Sequence, residues 1–340
     1  MKQEFYAVKN KNDTIRLNSS SGGVFFTLAN YIIENGGVVY GAIYDDNLNV
    51  VHSRIDNPKD LKKTHGSKYT QSNIGNCYNM VKKDLIDGKK VLFSGTPCQV
   101  NALKLFLKND DTENLILVDI ICHGTPAPHF FNDYKKYMEN KYKSKIKTIN
   151  MRYKSEKVFK NNLNNNYKSK SKVQPEVMGI FFENNKKYVS IPEFDIYYQL
   201  FDLFIRKPCF KCPYANLNRN SDITIGDFHE FSSLLGSFND GNGVSLVILN
   251  TEKGKKIFQN IKNNFDVEKK NQKQCMQPHL EKPLNEPKNY EKFNEDYKEY
   301  GFNYIVKKYA RNNMKFKIKK SLYKVGLLDK LITVKNWRRK

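Results

Sequence analysis

Apolar positions along the first half of the chain alternate between two periods, and the switches between them mark out the elements. Over residues 22–35, Phe25, Leu28, Ala29 and Ile32 recur at helical spacing, with Ser19-Ser20-Ser21 ahead of them as caps and Gly36-Gly37 behind them as a stop. Val38–Tyr44 then reads as a strand, Asp45-Asp46-Asn47 as a turn and Val50–Ile55 as the returning strand. Residues 73–86 carry a second helical pattern, closed by Gly88.

One unit is then written twice. Lys90-Val91-Leu92-Phe93-Ser94 is an apolar strand that runs into Gly95-Thr96-Pro97-Cys98 and the helical stretch Gln99–Leu107. Leu115–Ile121 runs in the same way into Cys122-His123-Gly124-Thr125-Pro126 and the helical stretch Phe130–Met138. Apolar strands alternating with helices predict a parallel sheet covered on both faces. Residues 158–176 are polar and read as an insertion. Met178–Ile191 reads as a hairpin about Asn184-Asn185, Phe194–Ile205 as a helix, and Asp222–Gly226 and Val244–Asn250 as strands. The pattern weakens after residue 263, and 307–340 is basic with apolar residues between the charges. No internal repeat of fixed period is present. The expected fold is α/β: a mixed, mostly parallel sheet with flanking helices, plus a basic helical C-terminal extension. Residues 1–263 form the main domain and 264–340 the extension.

No segment reaches the ~18 uninterrupted apolar residues of a membrane span, and Met1–Phe5 has no apolar stretch behind a basic start. The expected location is the cytoplasm, with a peripheral position at the inner membrane surface as a variant. Six cysteines in a reducing compartment read as ligands or buried small side chains before disulfides. The formal net charge of +23 suits a solvated lysine-rich surface, anionic lipid or an acidic partner. Nucleic acid ranks last, because no base-reading motif accompanies the charge. Lys307-Lys308, Arg311, Lys315, Lys317, Lys319-Lys320 and Trp337-Arg338-Arg339-Lys340, interleaved with Ile318, Leu322, Val325, Leu327 and Leu328, suit either an anionic membrane surface or a solvated helix.

The cysteines carry the chemistry. Cys98 and Cys122 each follow an apolar strand, at or near the start of a helix, where ligands collect at the carboxyl edge of a sheet and thiolate is favoured. The interval between them holds one helix and one strand, about what a single crossover needs, so the two thiols emerge side by side if the strands are neighbours. Cys209-Phe210-Lys211-Cys212 lies between Pro208 and Pro213, a stiff turn that aims both sulfurs at one centre. A thioredoxin-type pair would instead follow a strand and open a helix. Four thiolates suit zinc or an iron–sulfur cluster. Cys77 reads as buried filler, and Cys275 has no evident partner. His52, His65, His129, His229 and His279 form no metal spacing.

Seven motifs follow one another in order: Ser20-Ser21-Gly22-Gly23-Val24-Phe25, Gly37-Val38-Val39-Tyr40-Gly41, Gly66-Ser67-Lys68-Tyr69-Thr70-Gln71-Ser72, Phe93-Ser94-Gly95-Thr96-Pro97-Cys98-Gln99, Asp119-Ile120-Ile121-Cys122-His123-Gly124, Pro208–Cys212 and Ser221–Phe228. With them the chain resembles the beta subunit of the coenzyme F-420 (deazaflavin) hydrogenases and dehydrogenases, especially its C-terminal domain. The resemblance covers about residues 5–230. It implies a cytoplasmic flavoprotein with a [4Fe–4S] cluster on Cys98, Cys122, Cys209 and Cys212, passing electrons between cluster, FAD and an organic acceptor. Relatives act on other acceptors, and many sit among polysaccharide-synthesis genes, so a reductase of surface polysaccharide synthesis is the alternative. A zinc-stabilised scaffold binding anionic partners is the non-enzymatic one. Family members often carry an N-terminal ferredoxin-like segment, whereas no cysteine precedes Cys77 here. Electrons are therefore expected from a separate donor such as a ferredoxin-type protein, or else the chain has lost part of the ancestral electron path.

The same motifs suggest further contacts. Ser20, Ser21, Gly22 and Gly23 suit the FAD pyrophosphate, or else an ordinary helix cap. Ser67, Lys68 and Tyr69 suit a phosphate, the flavin N1 region or a stacked ring, or else a solvated loop. Thr96 and Gln99 flank Cys98 and suit hydrogen bonds to cluster sulfurs or flavin. His123 is a candidate proton relay or a packing residue, and His123 and Lys68 are the catalytic candidates. Asp222 and Asp227 bracket a short strand; Asp227 suits orienting a ligand or capping the next turn, and the pair reads first as structural. No Gly-x-Gly-x-x-Gly dinucleotide fingerprint is present.

Overall fold

The structure, a computed structural model, describes residues 2–155, 177–228, 232–311 and 313–324. The polar insertion at 158–176, His229, and Val325, Leu327, Leu328 and Trp337–Lys340 of the basic tail lie outside the described residues.

The chain opens with β1 (Glu4–Asn10), α1 (Asp13–Asn18), α2 (Val24–Glu34), β2 (Val38–Tyr44), β3 (Val50–Ile55), α3 (Pro58–Leu61), α4 (Cys77–Ile86), β4 (Val91–Gly95), α5 (Pro97–Phe106), β5 (Leu115–Ile120) and α6 (Pro128–Tyr142). It continues with β6 (Ile146–Asn150), β7 (Met178–Phe182), β8 (Lys187–Ser190), β9 (Ile223–Asp227), β10 (Ser245–Leu249) and β11 (Phe265–Lys270). One sheet has the order β11-β1-β10-β9-β5-β4-β2-β3, and a smaller one the order β6-β7-β8. Strands β2, β4, β5 and β9 are joined by parallel ladders and form the centre. Antiparallel strands extend the sheet on both sides.

The mixed α/β sheet expected from the sequence is therefore present. Alternate residues of the central strands feed two cores. Leu92, Ile116 and Val247 meet α2 and the helix Glu252–Ile261 on one face through Leu28, Ile32 and Phe258. Val91, Phe93 and Leu117 meet α4 and α5 on the other through Val81, Val100 and Leu103. Each such buried side chain contributes about 1.5–3 kcal/mol of transfer free energy. A third, aromatic core joins α6, the small sheet and the helix Tyr290–Tyr309 around Tyr134, Tyr197, Phe204 and Phe293.

Three local expectations change. Ser19, Ser20 and Ser21 do not cap α2; its cap is Gly23, in the left-handed region at φ 88°, with no side-chain cap bond. Ser20 and Ser21 instead link distant segments, Ser20 to Ser67 and Ser21 to Val244 O, while Ser19 Oγ donates back to Ile15 O in α1. Residues 194–205 are broken turns, Ile196–Gln199 and Phe201–Phe204, rather than one helix. The break lets Phe204 and Arg206 pair in extended form with the chain after Cys122. Cys122 does not stand at a helix N-terminus, because α6 begins only at Pro128. The hairpin about Asn185 is present, with Asn185 at φ 63°.

The basic C-terminal stretch forms the helix Met314–Lys324. It docks through Phe316 against Phe194 and Lys319 against Glu193. No described helix is long and apolar enough to cross a membrane.

The sheet edge nearest α4 is locked by Asp84, which is buried. It accepts from Tyr40 OH at 2.6 Å, Arg54 Nε at 2.7 Å and Lys89 Nζ at 2.8 Å. Burial alone would raise its pKa, but the donors from Arg54, Lys89 and Tyr40 outweigh burial and hold it at about 2, below the ordinary 3.8. A carboxylate held below its unfolded value contributes stability that is whole above about pH 4 and lost as pH falls towards 2. Asp84→Ala should cost about 2–3 kcal/mol at pH 7, and less at pH 2–3. Urea titrations at the two pH values check this, and an equal loss at both would contradict it.

Candidate functional site

Parallel strands β4, β5 and β9 end at one edge of the sheet, and β1, which pairs β10, ends there too. The loops leaving that edge enclose a cleft of about 860 Å³. Its walls include Ser19–Ser21 with Gly23–Phe26, Thr64–Ser72, Ser94–Thr96 with Cys98 and Gln99, Ile120–Thr125, Ile225–Asp227 and Gln277–His279. Of the residues singled out in the sequence, Ser20, Ser21, Gly23, Ser67, Lys68, Tyr69, Thr96, Gln99, His123, Cys98 and Cys122 all line it. Gly22 does not. A Cβ there would stand 2.2 Å from Val8 O, so glycine at 22 lets the loop lie flat on β1.

Cross-links between loops shape the cleft. Ser67 N and Oγ both donate to Ser20 Oγ, at 2.7 and 2.9 Å. Arg152, buried, donates from Nη1 to Asp227 Oδ2 at 2.6 Å and to Tyr69 OH at 3.1 Å, and from Nη2 to Ser20 O at 3.1 Å. One planar guanidinium thus joins three walls. Lys154 Nζ donates to the carbonyls of Arg16, Ser21 and Asn242. Lys68 Nζ does the same to Thr64, His65 and Gly66, at 3.0–3.1 Å. Burial presses Lys68 down to about 7, while three carbonyls match the three protons of its ammonium form. Those protons are spent on the loop itself, so Lys68 shapes the turn that carries Ser67 and Tyr69.

Two features of the cleft are open to a ligand. The N-terminus of α2 faces it through Gly23–Phe26 with no side-chain cap, which leaves N–H groups and the positive end of the helix for an anion. His65 Nε2 is buried, lines the cleft and has no hydrogen-bond partner.

The cysteines gather behind the same wall. Registers Val91↔Leu115 through Gly95↔Asp119 set β4 beside β5, so Cys98 and Cys122 leave adjacent strand ends. The Cys209 turn is brought in by backbone: Arg206 N donates to Thr125 O, Ala127 N donates to Phe204 O, and Pro126 bridges Ile205. Arg206 Nη2 reaches Cys209 Sγ at 3.9 Å. Beyond Cys212, Arg219 pulls residues 214–220 onto the sheet, donating to the carbonyls of Tyr214, Asn216 and Ile120 and pairing with Asp119 at 3.1 Å.

Burial pushes the Cys122 thiol up to about 12, and the neighbouring Cys98, Cys209 and Cys212 add to the rise, against the Gly124 N–H. Cys212 is raised likewise by burial, with Cys98 and Cys209 adding. The four thiols thus lie within electrostatic reach of one another. Among the described residues, no three His, Cys, Asp or Glu close on a point that would hold a single ion. Donors already address the sulfurs: Gly124 N–H reaches Cys122 at 3.4 Å, and the Thr96 hydroxyl stands 3.1 Å from Cys98. Cys77 is buried with Sγ donating to His52 O, and Cys275 is buried among Phe5, Ala7 and Phe228.

Sequence reasoning missed Arg152, Lys154, Arg206 and Arg219. Each lies outside a motif, and a lone cation carries no local signal of its partner. It also missed that His123 Nδ1 shares a hydrogen bond with His279 Nε2, while His123 Nε2 faces Asp202 Oδ1 at 3.3 Å. The partners are 156 and 79 residues away, beyond any spacing pattern. Asp222 is structural, as expected: it accepts from Leu117 N and Thr251 Oγ1.

This chain belongs to the family defined by the C terminus of the beta subunit of coenzyme F420 hydrogenase/dehydrogenase, whose model matches residues 88–274. That membership makes it an oxidoreductase-type subunit with electron-transfer character. A protein chain of the F420-reducing [NiFe] hydrogenase complex from Methanosarcina barkeri, solved as a xenon derivative, has a similar fold. Its TM-score is 0.51 at 16% identity, covering 78% of this chain and 81% of that one. No curated protein matches.

Asp119 and Arg219 are both almost fully buried. Arg219→Met should therefore cost about 3–5 kcal/mol by leaving Asp119 uncompensated, and Asp119→Asn combined with Arg219→Met should recover part of that. Denaturation midpoints of the three variants check this. Strictly additive losses would show that the two side chains are not coupled.

Proposed function

We propose that this chain is an iron–sulfur flavoprotein in which Cys98, Cys122, Cys209 and Cys212 hold one [4Fe–4S] cluster and the adjoining cleft holds FAD and an organic acceptor. The observation that carries the reading is the convergence of two lone loop cysteines and the proline-flanked pair behind one wall of a large cleft. The donor set fits the cluster. A single zinc draws four sulfurs onto one point at about 2.3 Å bonds, whereas a cubane gives each thiolate its own iron and keeps the ligands further apart.

The cleft suits a dinucleotide flavin. The uncapped α2 N-terminus and the Ser20–Ser67 link form a place for the pyrophosphate, and Phe25, Ile121, Tyr198 and Phe201 supply apolar wall. Bound there, the cluster supplies one-electron transfer and the flavin links it to two-electron chemistry on the acceptor. The chain's own residues do the rest. Thr96 O–H and Gly124 N–H donate to ligand sulfurs, which makes the reduced state easier to reach. Arg152 keeps Ser20, Tyr69 and Asp227 in register across the cleft. His123, His279 and Asp202 line the cleft in one hydrogen-bonded row beside Cys122, placed to hold a proton near the acceptor.

Serine in place of Cys212 should remove most of the iron from protein prepared without oxygen, and Cys122→Ser should do the same. Cys275→Ser should keep its iron. Iron analysis of the three variants decides the matter: full iron in Cys212→Ser would overturn the ligand assignment.

A further inference from the structure

His52, Ser72 and Gln99 are buried, line the cleft and belong to one chain of hydrogen bonds that ends at Cys98. His52 stands on β3, opposite Ala42 of β2, the strand between β3 and β4. Opposite residues share a face, and the alanine leaves room for the imidazole to cross β2 towards β4. There Nε2 meets Ser94 O at 2.9 Å, and the ring stacks on Phe93 at 5.2 Å. The backbone of Asn73 pairs with β3, donating to Val50 O and accepting from His52 N. This sets Ser72 Oγ 2.8 Å from His52 Nδ1.

The place of each proton follows by elimination. A carbonyl only accepts, so His52 Nε2 carries the ring proton. Burial lowers the His52 pKa, against the Ser94 carbonyl, and keeps the ring neutral, so Nδ1 is a bare acceptor. The Ser72 hydroxyl therefore donates to Nδ1, and its lone pair accepts from Gln99 Nε2 at 2.9 Å. That turns Gln99 Oε1 towards Thr96, where it accepts from Thr96 N at 3.0 Å. The Thr96 hydroxyl is left with one proton and two acceptors at equal distance, Gln99 Oε1 and Cys98 Sγ, each 3.1 Å away.

We propose that the Thr96 hydroxyl is a two-position donor to Cys98, and that His52 and Ser72 are positioning residues that hold its resting acceptor, Gln99 Oε1, in place; the inference rests on the cluster reading above. The proton lies towards Gln99 while the sulfur carries less charge. It turns to Sγ when reduction adds charge there, because a charged acceptor draws the stronger bond. The bond to sulfur is thereby strongest in the reduced state. Competition from Gln99 holds the reduction potential below the value that undivided donation would give. Gln99 acts on the sulfur only through Thr96, since its own N–H groups face Ser72.

The experiment is a redox titration of the full chain prepared without oxygen, followed by the electron paramagnetic resonance of the reduced cluster, with iron analysis of every sample. Thr96→Val removes the donor and should lower the potential by about tenfold in the one-electron equilibrium, about 59 mV. Gln99→Met removes the competing acceptor and should raise it by about threefold in the same equilibrium. His52→Phe keeps the stack on Phe93 but takes the acceptor from Ser72, whose hydroxyl then draws the amide oxygen away from Thr96. It should raise the potential too. In a Thr96→Val background neither change should move it. A fall or no change in either variant, the pattern of simple loosening, would overturn the proposal, and so would shifts that persist without the Thr96 hydroxyl. Where Gln99→Met loses its iron, His52→Phe alone decides. Full iron with a contrary pattern removes the role of His52, Ser72 and Gln99 and leaves the cluster. Wild-type protein without iron removes the cluster reading and this role with it.

Discussion

The register of β4 against β5 decides where the chemistry sits. Val91 stands opposite Leu115 and Gly95 opposite Asp119, so the two strands run out together and the chain must turn at one edge of the sheet. The residues that follow are Thr96-Pro97-Cys98 on one strand and Ile121-Cys122 on the next. Apolar side chains on both faces hold that register, because a slip of one residue would exchange Leu92 and Phe93 between two separate cores. The position of two of the four sulfurs is thus set by packing remote from them.

The other two depend on cations. Arg206 and Arg219 draw the proline-flanked turn towards the sheet edge from its two sides, one through Thr125 and the other through Ile120 and Asp119. Arg152 and Lys154 do comparable work on the cleft, where each converts several buried backbone carbonyls or polar side chains from a desolvation cost into hydrogen-bonded neighbours. Much of the site is therefore organised by buried or half-buried charged groups, and the abundance of surface lysine says nothing about them.

The sequence made the central strands, the helices between them and the edge at which Cys98 and Cys122 emerge legible, because apolar period and turn residues are local properties. It did not reveal β1, β6 or β11. Glu4–Asn10, Ile146–Asn150 and Phe265–Lys270 mix charges with short apolar runs and become strands only because a partner strand is already in place. Serines before a helix were a sound reason to expect a cap, yet the tertiary link from Ser20 to Ser67 prevails, and Gly23 takes the cap position. Thr96, Cys98, Cys122 and His123 cluster because their motifs end adjacent parallel strands, whereas Ser20, Ser21, Ser67 and Tyr69 reach the same edge on loops that are cross-linked through Ser20 and Ser67. The arginines and the His123–His279 pair stayed hidden, since their partners are distant in sequence.

The proposed chemistry stands or falls on four sulfurs gripping one inorganic core. Iron and acid-labile sulfide per chain, with the visible spectrum, measured on protein isolated under strict exclusion of oxygen, probe that grip directly. A brown protein with about four irons and about four sulfides per chain is expected. A colourless protein carrying a single zinc, or no metal at all, would contradict it.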